Sequence, residues 1–313
     1  MIIVALSLSL ATQIGAMFVM IFVGFLLVRK SVLSLRDCNA LSRIVLYVSG
    51  PCAIINAFQL TISENKVKGF LLAIFVAIGI HILFMAMTAL LGRIFHFSPI
   101  EKASLIYSNC GNLIIPLVIL IMNQKMVFYC SAYMIVQIVL IWTHCKSLIS
   151  QKQDFDLKAI LSNINMIAIG VGLLLFILQI HLPVLITSAF TSMTNLMGPL
   201  CMFVAGMLLA GIDLKKVVHN KRAYLVVFLR LIVLPFMVAL IFIISGLYKV
   251  LPNARSILMI SLLAASAPAA STVTQFAQIY DHQPFEASVI NVLSLLLCII
   301  TMPLLNMFYM SLT

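Results

Sequence analysis

Ten apolar runs of near-bilayer length follow one another along the chain, and nothing else in it restricts the fold so strongly. They cover Leu10 to Val28, Asn39 to Leu60, Gly69 to Leu91, Lys102 to Met122, Met126 to Leu148, Ala159 to Ile180, Ala189 to Leu209, Ala223 to Leu247, Ala254 to Ile279 and Phe285 to Leu305. A helix needs about 20 apolar residues to cross a hydrocarbon core of ~30 Å. Stretches such as Gly69 to Leu91 are apolar on every face, which excludes the alternating strands of a β-barrel. The chain is 64% hydrophobic and 9% charged, against roughly 25% charged in soluble domains. The expected class is therefore an all-α integral membrane protein of ten transmembrane helices, with lipid as its solvent and no separate soluble domain. Met1 to Met17 holds no Lys or Arg, so the first run reads as a retained span rather than a cleaved signal.

The formal charge of +11 is spread over connections rather than gathered in an aromatic-interleaved patch, so no nucleic-acid partner is expected. Its distribution speaks to topology instead. The odd connections carry Arg29, Lys30, Arg36 and Arg43, then Arg93 and Lys102, then Lys146, Lys152 and Lys158, then Lys215, Lys216, Lys221 and Arg222. The even ones carry Lys66, Lys68, Lys125, Lys249 and Arg255. By the positive-inside rule the odd connections face the cytoplasm and both termini lie outside a cell membrane. The last odd connection, near Asp281 and His282, has no Lys or Arg and does not contribute. The seven cysteines have the irregular spacing of reduced packing residues.

Two internal echoes divide the chain into residues 1–150 and 151–313. Ser49-Gly50-Pro51 in the second run answers Met197-Gly198-Pro199 in the seventh, and the fourth and ninth runs are both interrupted by small residues and proline. Five spans per half give the halves opposite orientation, the inverted-repeat plan of many secondary transporters.

The fourth run reads Ser108-Asn109-Cys110-Gly111-Asn112-Leu113-Ile114-Ile115-Pro116, and the ninth reads Ser266-Ala267-Pro268-Ala269-Ala270-Ser271-Thr272-Val273-Thr274-Gln275. Proline removes a donor and clashes with the preceding turn, so both helices are expected to unwind there. Irregular backbone at membrane depth survives only where it is buried in protein or lines a wet cavity. The second halves would then turn free amides and positive dipole ends into one small volume, an anion site without a formal charge. Pro268 is expected to leave a carbonyl open for a polar contact. Asn109, Gly111, Asn112, Pro116, Ser266, Pro268, Ser271, Thr272 and Gln275 are the candidate substrate-binding residues. Gln137 on the fifth run and Asn291 on the tenth are candidate wall residues, or else hydrogen-bonding glue between helices. Arg230 is either a substrate counter-ion or a long side chain that snorkels to the cytoplasmic interface.

No carboxylate falls in mid-run, which disfavours a proton pump or sodium/proton antiporter. His81 and His144, within or near span ends, read as packing or interfacial histidines ahead of a proton relay. Metal-ligand spacing, a nucleotide loop and a catalytic dyad are all missing, so no metal, no cofactor and no enzymatic activity are expected.

Asn109-Cys110-Gly111 through Pro116-Leu117, Gly198-Pro199, Ala267-Pro268 with Phe276 to Tyr280, and Ala287 to Pro303 together resemble the auxin efflux carrier family, which includes malate permeases and PIN-type carriers. Asn112 and Ile114 depart from the aromatic and second glycine often found there. The resemblance implies two inverted five-helix repeats, related to the bile-acid:sodium symporter architecture. It implies a scaffold of spans 1, 2, 6 and 7, commonly homodimeric, and a transport domain of spans 3–5 and 8–10 that moves elevator-fashion. It also implies a permease for a mono- or dicarboxylate, with Na+ or H+ coupling left open. A sodium-coupled symporter and a non-transporting membrane sensor or subunit stand as alternatives.

Overall fold

Prolines and short polar stretches punctuate the apolar runs, and the computed structural model, which describes residues 2–152, 157–211 and 220–313, has helices and no β-strand among them. The main helices are α1 Ile2–Arg29, α2 Asp37–Ala57, α3 Glu64–Phe95, α4 Pro99–Ile106, α5 Ile115–Ile121, α6 Gln124–Ser150, α7 Ile164–Ile177, α8 Val184–Ala210, α9 Lys221–Ser245, α10 Ala254–Ser266, α11 Ser271–Ile279 and α12 Pro284–Leu312. Five of them, α2, α3, α6, α8 and α9, are long and apolar enough to cross a membrane, and α12 makes a sixth if its two arms form one span. Their outer faces leave residues such as Val184 and Ile244 more than four-fifths exposed, at 84% and 81%. Lys215 and Lys216 lie outside the described residues, as does the side chain of Asn112.

Three prolines share one local solution. Pro51, Pro116 and Pro235 each stand two residues after a widened π-turn, at Val45–Ser49, Cys110–Ile114 and Leu229–Val233. A proline ring collides with the carbonyl four residues earlier, and an extra residue in the preceding turn moves that carbonyl away. Pro116 therefore lies in the first turn of α5 and does not break the chain, contrary to the reading from sequence. The interruption comes earlier, at residues 107–109, where Tyr107 is extended and the amides of Ser108 and Asn109 bond outside their own helix.

The helices gather into two compact units, each drawing on both halves of the chain. The first comprises Met1–Glu64, Gly111–Ser131 and Asn163–Leu214. Here α1 and α8 touch backbone to backbone at two glycines: a Cβ on Gly206 would stand 1.9 Å from the Ile21 carbonyl oxygen, and one on Gly24 2.4 Å from that of Phe203. Such small residues let membrane helices approach closely enough for dispersion to hold them. Phe58 meets Phe128 edge-on at 4.9 Å, and Phe128 lies 5.1 Å from Phe176. Asn56 Nδ2 donates to Thr191 Oγ1 at 3.0 Å, tying α2 to α8.

The second unit comprises Asn65–Cys110, Ala132–Ser162 and Lys215–Thr313. A reciprocal cap starts α4: Glu101 N donates to Ser98 Oγ at 3.3 Å, and Ser98 N donates to Glu101 Oε2 at 2.7 Å. Glu101 is fully buried, and its carboxylate also receives Arg222 from the start of α9 through Nε and, at 2.9 Å, Nη2. Arg222 extends to the carbonyls of Phe95 and His96, fastening the α3–α4 turn to α9. Phe236 against Phe308 and Phe242 against Tyr309 join α9 to α12.

Candidate functional site

All the geometry that follows lies within the second unit. The α4 helix stops at Ile106, and Tyr107 is extended at φ −100°, ψ 132°. The α10 helix stops at Ser266, and Ala267 sits at φ −64°, ψ 155°, the conformation that a following proline imposes on its neighbour. The two interruptions cross as a minimal antiparallel bridge, with Ser108 opposite Ala269. Asn109 N donates to the Pro268 carbonyl at 2.8 Å, and Ala270 N donates to the Tyr107 carbonyl at 3.0 Å. The carbonyl of Pro268 itself is thus occupied, because the other interruption supplies a main-chain donor at bonding distance.

Side chains from the neighbouring helices satisfy what the bridge leaves over. Gln137 on α6 holds Ser108: Nε2 donates to its carbonyl at 2.6 Å, and Oε1 accepts from its hydroxyl at 2.7 Å and its amide at 3.3 Å. On α12, Asn291 Nδ2 donates to the Ala269 carbonyl at 2.9 Å and Ser294 Oγ accepts the Ala269 amide at 3.0 Å. Gln137 and Asn291 consequently spend these amide groups on backbone. A buried unpaired main-chain group costs about 1–3 kcal/mol, so this bracing is what makes the irregular segment tolerable.

Arg230 is fully buried in the π-turn of α9. Its Nη1 donates to the Leu105 carbonyl at 3.0 Å and its Nη2 to the Ala267 carbonyl at 3.1 Å. One guanidinium thereby closes the C-terminal ends of both α4 and α10, where the helix dipole favours a cation. It lies 5.4 Å from the centre of the Phe84 ring, and its Nε has no partner among the described residues. Burial overturns the snorkelling alternative, since the side chain reaches carbonyls at the interruptions instead of an interface.

Some polar groups remain open. The α11 helix has no side-chain cap, and the amides of Ser271 and Thr272 in its first turn find no acceptor among the described residues. Both residues are half-buried, as is Asn109, whose carboxamide makes no hydrogen bond among the described residues. The first-turn amides of a helix form a ready anion site.

Other candidates fall elsewhere. Ser266 is fully buried with its hydroxyl turned back to the Leu263 carbonyl at 3.1 Å, and Gln275 is exposed on α11. Gly111 and Pro116 belong to the first unit, as does the backbone of Asn112. His81 is buried in the interior of α3, with Nδ1 on the Ala77 carbonyl at 2.7 Å and its ring 5.1 Å from that of Tyr133. His144 is exposed, yet its Nδ1 meets the hydroxyl of buried Tyr107 at 2.7 Å. The main-chain partners Leu105, Ala267 and Ala269 escape sequence reasoning, because a carbonyl or amide carries no residue-type signature.

Helices long and apolar enough to cross a membrane, together with a braced polar crossing in the second unit, mark a multi-pass membrane protein. The sequence profile of the membrane transport protein family matches residues 9–159 and residues 152–306. The chain belongs to this family of auxin efflux carrier and PIN-like membrane transporters. No curated protein sequence matches it significantly.

Proposed function

We propose that the protein is a secondary transporter of a small organic anion, and that the anion docks on the amides of Ser271 and Thr272 beside the Asn109 carboxamide. The uncapped first turn of α11, four residues beyond the carbonyl that Arg230 holds, carries this reading. A carboxylate accepts several hydrogen bonds and gains from both the dipole end and the nearby guanidinium field. In this proposal α4 with α5, and α10 with α11, each make one interrupted span, completing ten spans in two inverted repeats in the cell membrane with both termini outside. Because each interruption is hydrogen-bonded to the other, the pair moves as one piece. That favours an elevator-type displacement over separation of the halves, with spans 3–5 and 8–10 moving and spans 1, 2, 6 and 7 as a homodimeric scaffold.

Counterflow in vesicles containing the purified protein alone tests the proposal. A labelled carboxylate accumulates against its unlabelled form, and Asn109→Ala reduces that accumulation while the protein remains folded. A folded protein that moves no organic acid across a broad panel overturns it.

A further inference from the structure

We infer that His81 is a proton-binding site of the carrier, and that a proton crosses the membrane together with the anion. The inference rests on the anion reading above and names its coupling ion.

His81 is 1% exposed in the interior of α3, where an ionisable side chain is costly to keep. A carbonyl only accepts, so Nδ1 carries the hydrogen that reaches the Ala77 oxygen at 2.7 Å, and Nε2 keeps its lone pair. Nε2 makes no hydrogen bond among the described residues. A histidine kept for packing alone would satisfy both ring nitrogens. Here the backbone fixes the tautomer and turns an uncommitted base into the protein interior.

The groups around this base set what it can do. Tyr107 stands 6.4 Å away and Tyr133 of α6 5.1 Å away, ring centre to ring centre, while Gln137 of α6 and Arg230 of α9 complete its polar neighbours. Arg230 is the charged member of the set, and its terminal nitrogens bond to carbonyls. A proton on Nε2 would place a second cation near the guanidinium in a low-dielectric volume, so the imidazole stays neutral while no anion is bound. An anion at the crossing reverses that balance by offsetting the added charge. Each of the two then raises the affinity for the other by the same factor. The bond that forms is Nε2–H, its proton taken from water on one side of the membrane and returned on the other.

Gln137 ties this base to the crossing. It stands beside His81 and also holds the carbonyl, hydroxyl and amide of Ser108, the residue before Asn109. Three other atoms suggest the way in: Thr88 Oγ1, Ser104 Oγ and Arg230 Nε are also buried and unpaired among the described residues. Thr88 follows His81 by about two turns on the same face of α3, and Ser104 lies at a comparable depth on α4. Both are nearer the α3–α4 connection, which the proposed topology puts in the cytoplasm. Polar atoms of this kind are what ordered water needs in order to pass a proton between His81 and that side.

The test uses vesicles that hold the purified full-length protein and the pH dye pyranine, with the membrane potential clamped by valinomycin and equal potassium. Labelled L-lactate and L-malate are the first probes, with uptake by protein-free vesicles subtracted. With one proton per anion, an exterior more acid by ~1 pH unit drives about tenfold accumulation, and the lumen acidifies as the anion enters. His81→Gln abolishes both effects while counterflow persists. Wild-type counterflow without gradient-driven accumulation overturns the proton inference and leaves the anion carrier standing. Accumulation that survives in folded His81→Gln, or a folded variant that loses counterflow as well, overturns it too; His81→Asn takes its place if the glutamine variant shows no thermal transition. Counterflow of no organic acid in a broad panel, by protein shown folded, overturns the anion reading itself and this inference with it.

Discussion

The main-chain amide of Asn109 donates to the main-chain carbonyl of Pro268 over 2.8 Å, so two residues 159 positions apart hold two helix interruptions together without using a side chain. This frees the side chain at Asn109: the backbone builds the crossing, and in the proposed carrier the carboxamide serves the ligand.

Asn109→Ala should accordingly leave the crossing intact. Loss of a hydrogen bond to a charged carboxylate costs about 1.5–3 kcal/mol, roughly a tenfold to hundredfold rise in KM. Vesicle uptake measures the loss, and an unchanged thermal transition in detergent shows that the fold survives. Wild-type kinetics in the variant would remove Asn109 from the site.

Pro268→Ala should do the reverse. Without the ring, Ala267 is free to return to helical geometry and α10 to run on, withdrawing the carbonyls that Asn109 N and Arg230 Nη2 use. Each donor left buried and unpaired costs about 1–3 kcal/mol. Both the thermal midpoint and the transport rate should fall together, and a variant that keeps its midpoint would show that the bridge does not depend on proline.

Gln137→Leu removes three hydrogen bonds to Ser108 at similar volume. The Ser108 carbonyl and hydroxyl then lose their partners in a buried setting, at about 1–3 kcal/mol apiece. Thermal unfolding in detergent should show a clear loss, larger than for Thr143→Val on the exposed side of the same helix. Equal losses would argue that Gln137 only fills space.

Gly206→Ala places a methyl 1.9 Å from the Ile21 carbonyl oxygen, so α1 and α8 must separate. Overpacking of this kind costs about 1–3 kcal/mol or more. Gly79→Ala, where nothing stands within 4 Å, serves as the neutral comparison and should not lower the yield of folded protein. Equal behaviour of the two variants would show that α1 and α8 are not held by backbone contact.

For the proposed topology, a cysteine at Lys152, an exposed residue after α6, should resist impermeant thiol reagents in intact cells and react once the membrane is opened. Reaction in intact cells would reverse the orientation without touching the helices.

The helical membrane class was legible because apolar length and low charge leave lipid as the only suitable solvent. The interruption at Ala267-Pro268 was legible too, since proline constrains its predecessor directly. The one near Asn109 was misplaced towards Pro116, because a π-turn absorbs a proline at no break and nothing in the residue types distinguishes the two outcomes. Arg230 stood out as the lone internal cation, yet its fate depended on whether carbonyls from α4 and α10 came within reach. That is a tertiary fact, as is the commitment of Gln137 and Asn291 to backbone, which residue type alone left open between wall and glue.

The crossing satisfies most of its own main chain, and for the proposed carrier this sets the energetics of the empty state. With nothing bound, the amides of Ser271 and Thr272 at the start of α11 stay unmet, whereas those of Ser108, Asn109, Ala269 and Ala270 are paired within the crossing. At about 1–3 kcal/mol per unpaired group, an unloaded transit is slowed but not forbidden. Such a carrier returns empty more slowly than loaded, so it exchanges one anion for another faster than it accumulates net flux.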